Sequence, residues 1–123
     1  MKKILFIEDE AAVQKTLGES LRKAGYEVQS ALDGELGLAL AKKGEADLIL
    51  LDIMLPKLSG LEILERIKQD EKIKDIPVII LTNLENIAEV ERAVELGAKT
   101  YLVKSNYGLE EVVEKIKKVL NGN

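Results

Sequence analysis

Acidic, hydroxyl and ammonium side chains stand at the ends of short apolar runs in this chain. Ile4-Leu5-Phe6-Ile7 runs into Glu8-Asp9, Leu48–Leu51 into Asp52, Val78–Leu81 into Thr82, and Tyr101-Leu102-Val103 into Lys104. If the runs are parallel strands of one sheet, their carboxyl ends share an edge, and open α/β sheets bind ligands outside that edge. Each residue also has a plain reading of its own. Glu8-Asp9-Glu10 suits the acidic start of a helix, Asp9 or Thr82 an N-cap, and Lys104 a solvated surface. Their joint placement is what points to chemistry.

Two carboxylates about 4 Å apart repel by about 4 kcal/mol at an effective dielectric of 20, and one ammonium does not offset three of them. A hard divalent cation does. An all-oxygen, carboxylate-rich set without imidazole or thiolate suits Mg²⁺, which keeps several waters and takes phosphate oxygens. Asp52 is then the candidate nucleophile, because a carboxylate can attack phosphorus to give an aspartyl-phosphate while Mg²⁺ and Lys104 spread the charge on the equatorial oxygens. Thr82 is placed to hydrogen-bond the phosphoryl group. No Gly-x-x-x-x-Gly-Lys loop occurs, so a Walker-type nucleotide cradle is not the phosphate source.

Composition narrows the remaining classes. The chain has 123 residues, with no cysteine and no histidine, which excludes disulfides, thiolate or imidazole metal sites and Ser-His-Asp catalysis. Its length fits a single domain over residues 1–123 and leaves no room for an output module. The net charge is −4, from 22 acids against 18 bases, so direct nucleic-acid binding is not expected. No apolar stretch approaches the roughly 20 residues of a membrane span or resembles a signal peptide, and a cytoplasmic protein without membrane contact is expected.

The elements that must position these residues follow from patterning. The apolar runs, with Glu27–Ala31 as a fifth, alternate with amphipathic stretches. Leu109, Val112, Val113, Ile116, Val119 and Leu120 form one helical stripe; Val13, Leu17 and Leu21 form another. Gly25, Gly44 and Gly97 follow helical stretches as stop signals, Gly18 falls inside the first helix without a visible reason, and Pro77 is compatible with the start of a strand. Near-continuous apolar strands joined by helices imply a parallel sheet covered on both faces, an α/β fold in three layers.

The chain resembles the response-regulator receiver domains of two-component signalling over its whole length. The matching residues are Glu8-Asp9, the segment from Asp52 through Ile53-Met54-Leu55-Pro56-Lys57-Leu58-Ser59 to Gly60, then Thr82 and Lys104. The resemblance implies a flavodoxin-like (βα)5 fold with strand order 2-1-3-4-5, the order the family's chemotaxis member is known for. It implies that Asp52 accepts a phosphoryl group from a sensor histidine kinase or a histidine phosphotransfer protein. Asp9, Asp52 and the Met54 backbone carbonyl would ligate Mg²⁺, with Glu8 acting through water. Lys104 would pair with the phosphoryl oxygens, Thr82 would close onto them, and Tyr101 would swing inward as the switch aromatic. Pro56 and Gly60 would fix the loop after Asp52.

On this reading the protein is a signalling switch that catalyses only its own phosphorylation and dephosphorylation. It changes its affinity for a downstream protein through the surface of the fourth helix, fifth strand and fifth helix, as a monomer or a phosphorylation-promoted dimer. The alternatives are a phosphorelay intermediate and a phosphorylation-independent interaction module. A haloacid-dehalogenase-type phosphatase would need an acid two residues after the nucleophile, where Met54 stands. One departure and one pair of positions carry expectations of their own. Lys104-Ser105 replaces the lysine-proline pair usual in receivers, and because a cis bond before a non-proline residue costs about 2.5–4 kcal/mol, a trans or strained bond is expected. Met54 and Leu84, two beyond Asp52 and Thr82, stand where the resemblance implies control of phosphoryl hydrolysis. Neither can orient a water by hydrogen bonding, so a long-lived phosphoprotein is expected, the alternative being that both merely cover hydrophobic surface.

Overall fold

The computed structural model describes residues 1–82, 87–104 and 108–122. Strands β1 (Lys3–Ile7), β2 (Glu27–Ala31), β3 (Leu48–Asp52), β4 (Val78–Thr82) and β5 (Thr100–Val103) alternate with helices α1 (Ala11–Lys23), α2 (Gly34–Lys42), α3 (Gly60–Gln69), α4 (Ile87–Glu95) and α5 (Leu109–Leu120). All strand pairs are parallel and the order is β2-β1-β3-β4-β5, as the resemblance implied. Among the described residues no helix is long and apolar enough to cross a membrane.

The apolar runs are continuous where the sheet is covered on both faces. Leu5, Ile7, Ile49, Leu51, Val78 and Ile80 point to one face and pack with residues such as Leu38 of α2, Ile63 and Ile67 of α3 and Ala93 of α4. Ile4, Phe6, Leu48, Leu50, Ile79 and Leu81 point to the other, against Leu17 and Leu21 of α1 and Val112 and Ile116 of α5. Every residue of β3 and β4 is buried. The outer strands differ: β2 exposes Glu27 and Ser30, and β5 exposes Tyr101, because an edge strand has only one neighbour and is covered less. Pro77 sits directly before β4 and lends its carbonyl to Ile49 N–H at 2.9 Å, so its missing donor costs the ladder nothing.

Helix ends follow the local chemistry. Asp33 accepts the Leu36 N–H and Ser59 the Glu62 N–H as side-chain N-caps, at 2.9 and 3.3 Å. Gly25, Gly44 and Gly97 have φ of +100°, +72° and +111° just past α1, α2 and α4, the left-handed geometry that ends helices. Leu109 departs from the expected α5 stripe and is exposed at its start.

Two helical glycines test packing in opposite directions. A Cβ on Gly37 would lie 2.7 Å from two carbons of the fully buried Ile7, whereas one on Gly18 would meet only the end of Arg22, at 3.4 Å. Gly18→Ala is therefore expected to stabilise the protein by about 0.5–1 kcal/mol, and Gly37→Ala to destabilise it by about 1–3 kcal/mol. Urea unfolding of both variants checks this, and a destabilised Gly18→Ala protein would contradict it.

Candidate functional site

Backbone bonding continues past the strand ends and carries the polar residues into register. Glu8 N–H donates to Ala31 O at 3.0 Å, Ile53 N–H to Leu81 O at 3.2 Å and Lys104 N–H to Thr82 O at 2.7 Å. Glu8, Asp52, Thr82 and Lys104 thus meet at the carboxyl edge of the sheet, as the sequence reading required. Glu8 is fully buried, Asp52 and Thr82 are nearly so, Lys104 is half-buried and Asp9 is exposed.

One ammonium serves three carboxylates. Lys104 Nζ lies 2.9 Å from Glu8 Oε1, 2.9 Å from Glu10 Oε1 and 3.4 Å from Asp52 Oδ2. It donates hydrogen bonds to Glu10 and Asp52, whereas Glu8 Oε1 is buried without a directed hydrogen bond and meets Lys104 only as an ion pair. Glu8 Oε2 accepts Glu10 N–H at 3.1 Å, and Asp52 Oδ1 accepts Met54 N–H at 3.2 Å. The carboxylates of Glu8, Asp9 and Asp52 each bring an oxygen within 4.8 Å of the others.

Burial dominates the titration of Glu8 and Asp52. It pushes the Glu8 carboxyl up from 4.5 to about 7, over the opposing pull of Lys104 and the Glu10 N–H, and the charge of Asp52 adds to the rise. Burial likewise raises Asp52, against Lys104 and the Met54 N–H. For Lys104 burial works toward neutrality, but the Glu8 and Glu10 carboxylates, each 2.9 Å from Nζ, outweigh it and hold the ammonium above its ordinary value.

The segment after Asp52 is tightly constrained. Leu58 N–H donates to Pro56 O at 2.8 Å across Lys57, whose φ of +70° is the one positive value at a non-glycine among the described residues. This three-residue γ-turn is a rare, strained form. It is braced by Gly34 N–H on Pro56 O at 3.4 Å and by Lys57 Nζ 3.7 Å from Asp33. Gly60 then starts α3 against the main chain of the acceptor strand: a Cβ there would lie 2.5 Å from Asp52 O and 2.6 Å from Ile53 Cα. Pro56 and Gly60 are therefore structural, as expected.

Several placements go beyond the sequence reading. Glu10 binds Lys104 directly, a role that an acidic helix start did not signal. Lys57 takes the strained turn, and Gln14 is a buried polar residue on α1. Tyr101 is 44% exposed on the edge strand, and Met54 turns a 56% exposed side chain to solvent while its N–H holds Asp52. Leu84 and the Lys104-Ser105 bond lie outside the described residues.

Residues 4–117 match the family model of the response regulator receiver domain. The chain belongs to the response regulator receiver family. It is 40% identical over 120 residues to the DNA-binding dual master transcriptional regulator RpaA of a Synechocystis strain, covering 98% of this chain and 49% of that protein. The chain thus spans about half the length of the curated relatives it matches first. Among solved structures, a CheY-like receiver domain protein from Methanospirillum hungatei superposes with a TM-score of 0.91 at 29% identity, over 99% of this chain and 95% of the other. The receiver domain of sensor histidine kinase PA1611 from Pseudomonas aeruginosa, with a magnesium ion in its active-site cleft, gives 0.87 at 29%, over 99% and 98%.

The receiver's donor set fits a hard divalent cation. All its ligand atoms are oxygens, three carboxylates crowd one locus, and Glu8 Oε1 is a buried acceptor with no directed donor. The Glu8 shift also has a stability consequence. Because its folded pKa lies above 4.5, the folded state holds that proton more tightly, and stability falls as pH rises from about 4.5 through 7. In chelator, thermal unfolding is expected at a lower temperature at pH 8 than at pH 5, with a flatter profile for Glu8→Gln. A wild-type midpoint that rises over this range would contradict the assignment.

Proposed function

We propose that Asp52 is the phosphoacceptor of a cytoplasmic two-component switch, charged by the phosphohistidine of a sensor kinase or a histidine phosphotransfer protein. The observation that carries this reading is the buried Asp52 carboxylate, with Lys104 Nζ at 3.4 Å and the Glu8 and Asp9 carboxylates beside it. An Asp52 oxygen forms the new bond to phosphorus as the donor P–N bond breaks, and the leaving imidazole nitrogen takes up a proton. Lys104 exchanges carboxylate oxygens for phosphoryl oxygens, and Thr82, at the end of the neighbouring strand, hydrogen-bonds the transferred group.

Asp9, Asp52 and the Met54 carbonyl would hold Mg²⁺, with Glu8 acting through water. Bound there, the ion offsets the carboxylate repulsion and the charge of the incoming phosphoryl group. A groove of about 290 Å³ between α1 and α5, lined in part by Val13, Thr16, Val103 and Leu109, opens beside Lys104 and suits the approach of a donor protein.

The output is a change in affinity for a protein partner. Phosphorylation replaces the single negative charge of the Asp52 carboxylate with a phosphoryl group carrying about two, which draws in Thr82 and lets Tyr101 turn inward from its exposed position. Exposed Ile87 and Val94 on α4 and Tyr101 on β5 give the α4–β5–α5 face the apolar area a partner or a second phosphorylated copy would cover. Beyond its own phosphorylation and dephosphorylation the domain has no catalytic task, and direct nucleic-acid contact is not part of the function.

Incubation with Mg²⁺ and acetyl phosphate tests this. The wild type is expected to gain one acid-stable, hydroxylamine-labile phosphoryl group, Asp52→Asn none, and Lys104→Met the same group at a rate lower by about a hundredfold. Steady release of phosphate without a trapped adduct would indicate a phosphatase, and no reaction would indicate an interaction module.

A further inference from the structure

Helix α1 turns one polar side chain into the core. Gln14 is 7% exposed and shares the buried stripe of Leu17, Gly18 and Leu21. An amide there is costly unless it is hydrogen-bonded, and an apolar residue would carry no such penalty. Gln14 Nε2 faces three main-chain carbonyl oxygens: Phe6 at 2.8 Å, Ala31 at 3.1 Å and Glu8 at 3.2 Å. Its Oε1 is buried and has no hydrogen-bond partner among the described residues. The reverse orientation would aim an oxygen at three oxygens, so the donor end must face the strand termini.

Those carbonyls belong to the ends of β1 and β2 and to the first residue of the acidic pair. Glu8 is therefore held on every side: its N–H on Ala31 O, its carbonyl on Gln14, and its Oε2 on Glu10 N–H. With the main chain fixed at Glu8, its side chain is directed to Lys104 and Asp52 and the next residue, Asp9, leaves the sheet in a set direction. None of the hydrogen bonds described for Gln14 goes to Asp52 or Lys104, so any effect on the chemistry acts through the backbone.

We propose that Gln14 is a positioning residue of the receiver site, whose amide clamps the termini of β1 and β2 and so sets the geometry in which Glu8 and Asp9 meet a divalent cation with Asp52. This rests on the metal-dependent function proposed above. Groups that orient metal ligands without touching the ion typically contribute about 10–100-fold to affinity.

The test uses Gln14→Met, which keeps the reach and removes the donors, with Leu17→Ala on the same buried stripe as a packing control. Two quantities are read by NMR: the Mg²⁺ dissociation constant, and the exchange rates of the Glu8 and Glu10 amides relative to Leu50 and Ile79. Gln14→Met is expected to weaken Mg²⁺ by about tenfold or more and to speed the Glu8 and Glu10 amides by about tenfold against the core. Leu17→Ala is expected to leave the Mg²⁺ constant within about twofold, since its cost is lost packing. Gln14→Lys supplies three N–H groups to the three carbonyls, so both quantities should stay within about threefold of wild type; it answers the question if Gln14→Met does not fold.

A folded Gln14→Met protein with wild-type Mg²⁺ affinity and wild-type amide exchange overturns the proposal, as does a folded Gln14→Lys protein that loses both. If the wild type itself fails to bind Mg²⁺ while Gln14→Met still loses Glu8 and Glu10 protection, the positioning role stands and the metal reading falls.

Discussion

The mutual repulsion of carboxylates held at the end of a buried parallel sheet is the constraint on which the rest of this structure turns. Glu8, Asp9 and Asp52 approach within 4.8 Å, Glu10 stands beside them, and Lys104 supplies one positive charge between them. In water such a group would spread apart, because its components gain more from solvation than from proximity. Here the backbone forbids it. Hydrogen bonds from Glu8, Ile53 and Lys104 to the neighbouring strands lock each residue in register, and burial raises both Glu8 and Asp52. The carboxylates are thus held in a strained electrostatic arrangement, one that on the proposed reading a cation and a phosphoryl group together would relieve.

The rest of the fold supplies the rigidity that keeps the carboxylates together. Both faces of β3 and β4 are buried, so the strand that presents Asp52 cannot slide without moving two hydrophobic layers. The start of α3 presses on the Asp52 main chain where only hydrogen fits at Gly60, and the γ-turn at Lys57 closes the loop above it. Strain of this kind, about 1–3 kcal/mol per position, survives only where surrounding contacts enforce it. In this receiver those contacts are the packing of the loop on α2, through Gly34 and Asp33.

Much of this was legible in the chain because the relevant signals are local. The runs ending in Asp52 and Thr82 read as strands because both their faces are apolar, and their polar terminal residues marked the edge where the candidate site lies. Strand order came from the resemblance, since periodicity says nothing about which strands are neighbours. Other features depend on distance in space. Glu10 is 94 residues from Lys104, and no sequence pattern distinguishes it from an ordinary acidic residue at the start of a helix. Gln14 interrupts an apolar stripe, a signal that the regular spacing of Val13, Leu17 and Leu21 concealed. The positive φ at Lys57 has no composition cue, because glycine or asparagine would ordinarily be expected there.

Whether this crowded edge becomes reactive toward phosphorus when a cation joins it is tested most directly by a crystal structure of the protein with Mg²⁺ and beryllium fluoride. The expected result is a fluoroberyllate on an Asp52 oxygen, a metal ion among the site carboxylates, and Lys104 Nζ moved from Glu10 toward fluorine. An unmodified Asp52 with Lys104 still bound to Glu10, in crystals saturated with both reagents, would contradict it.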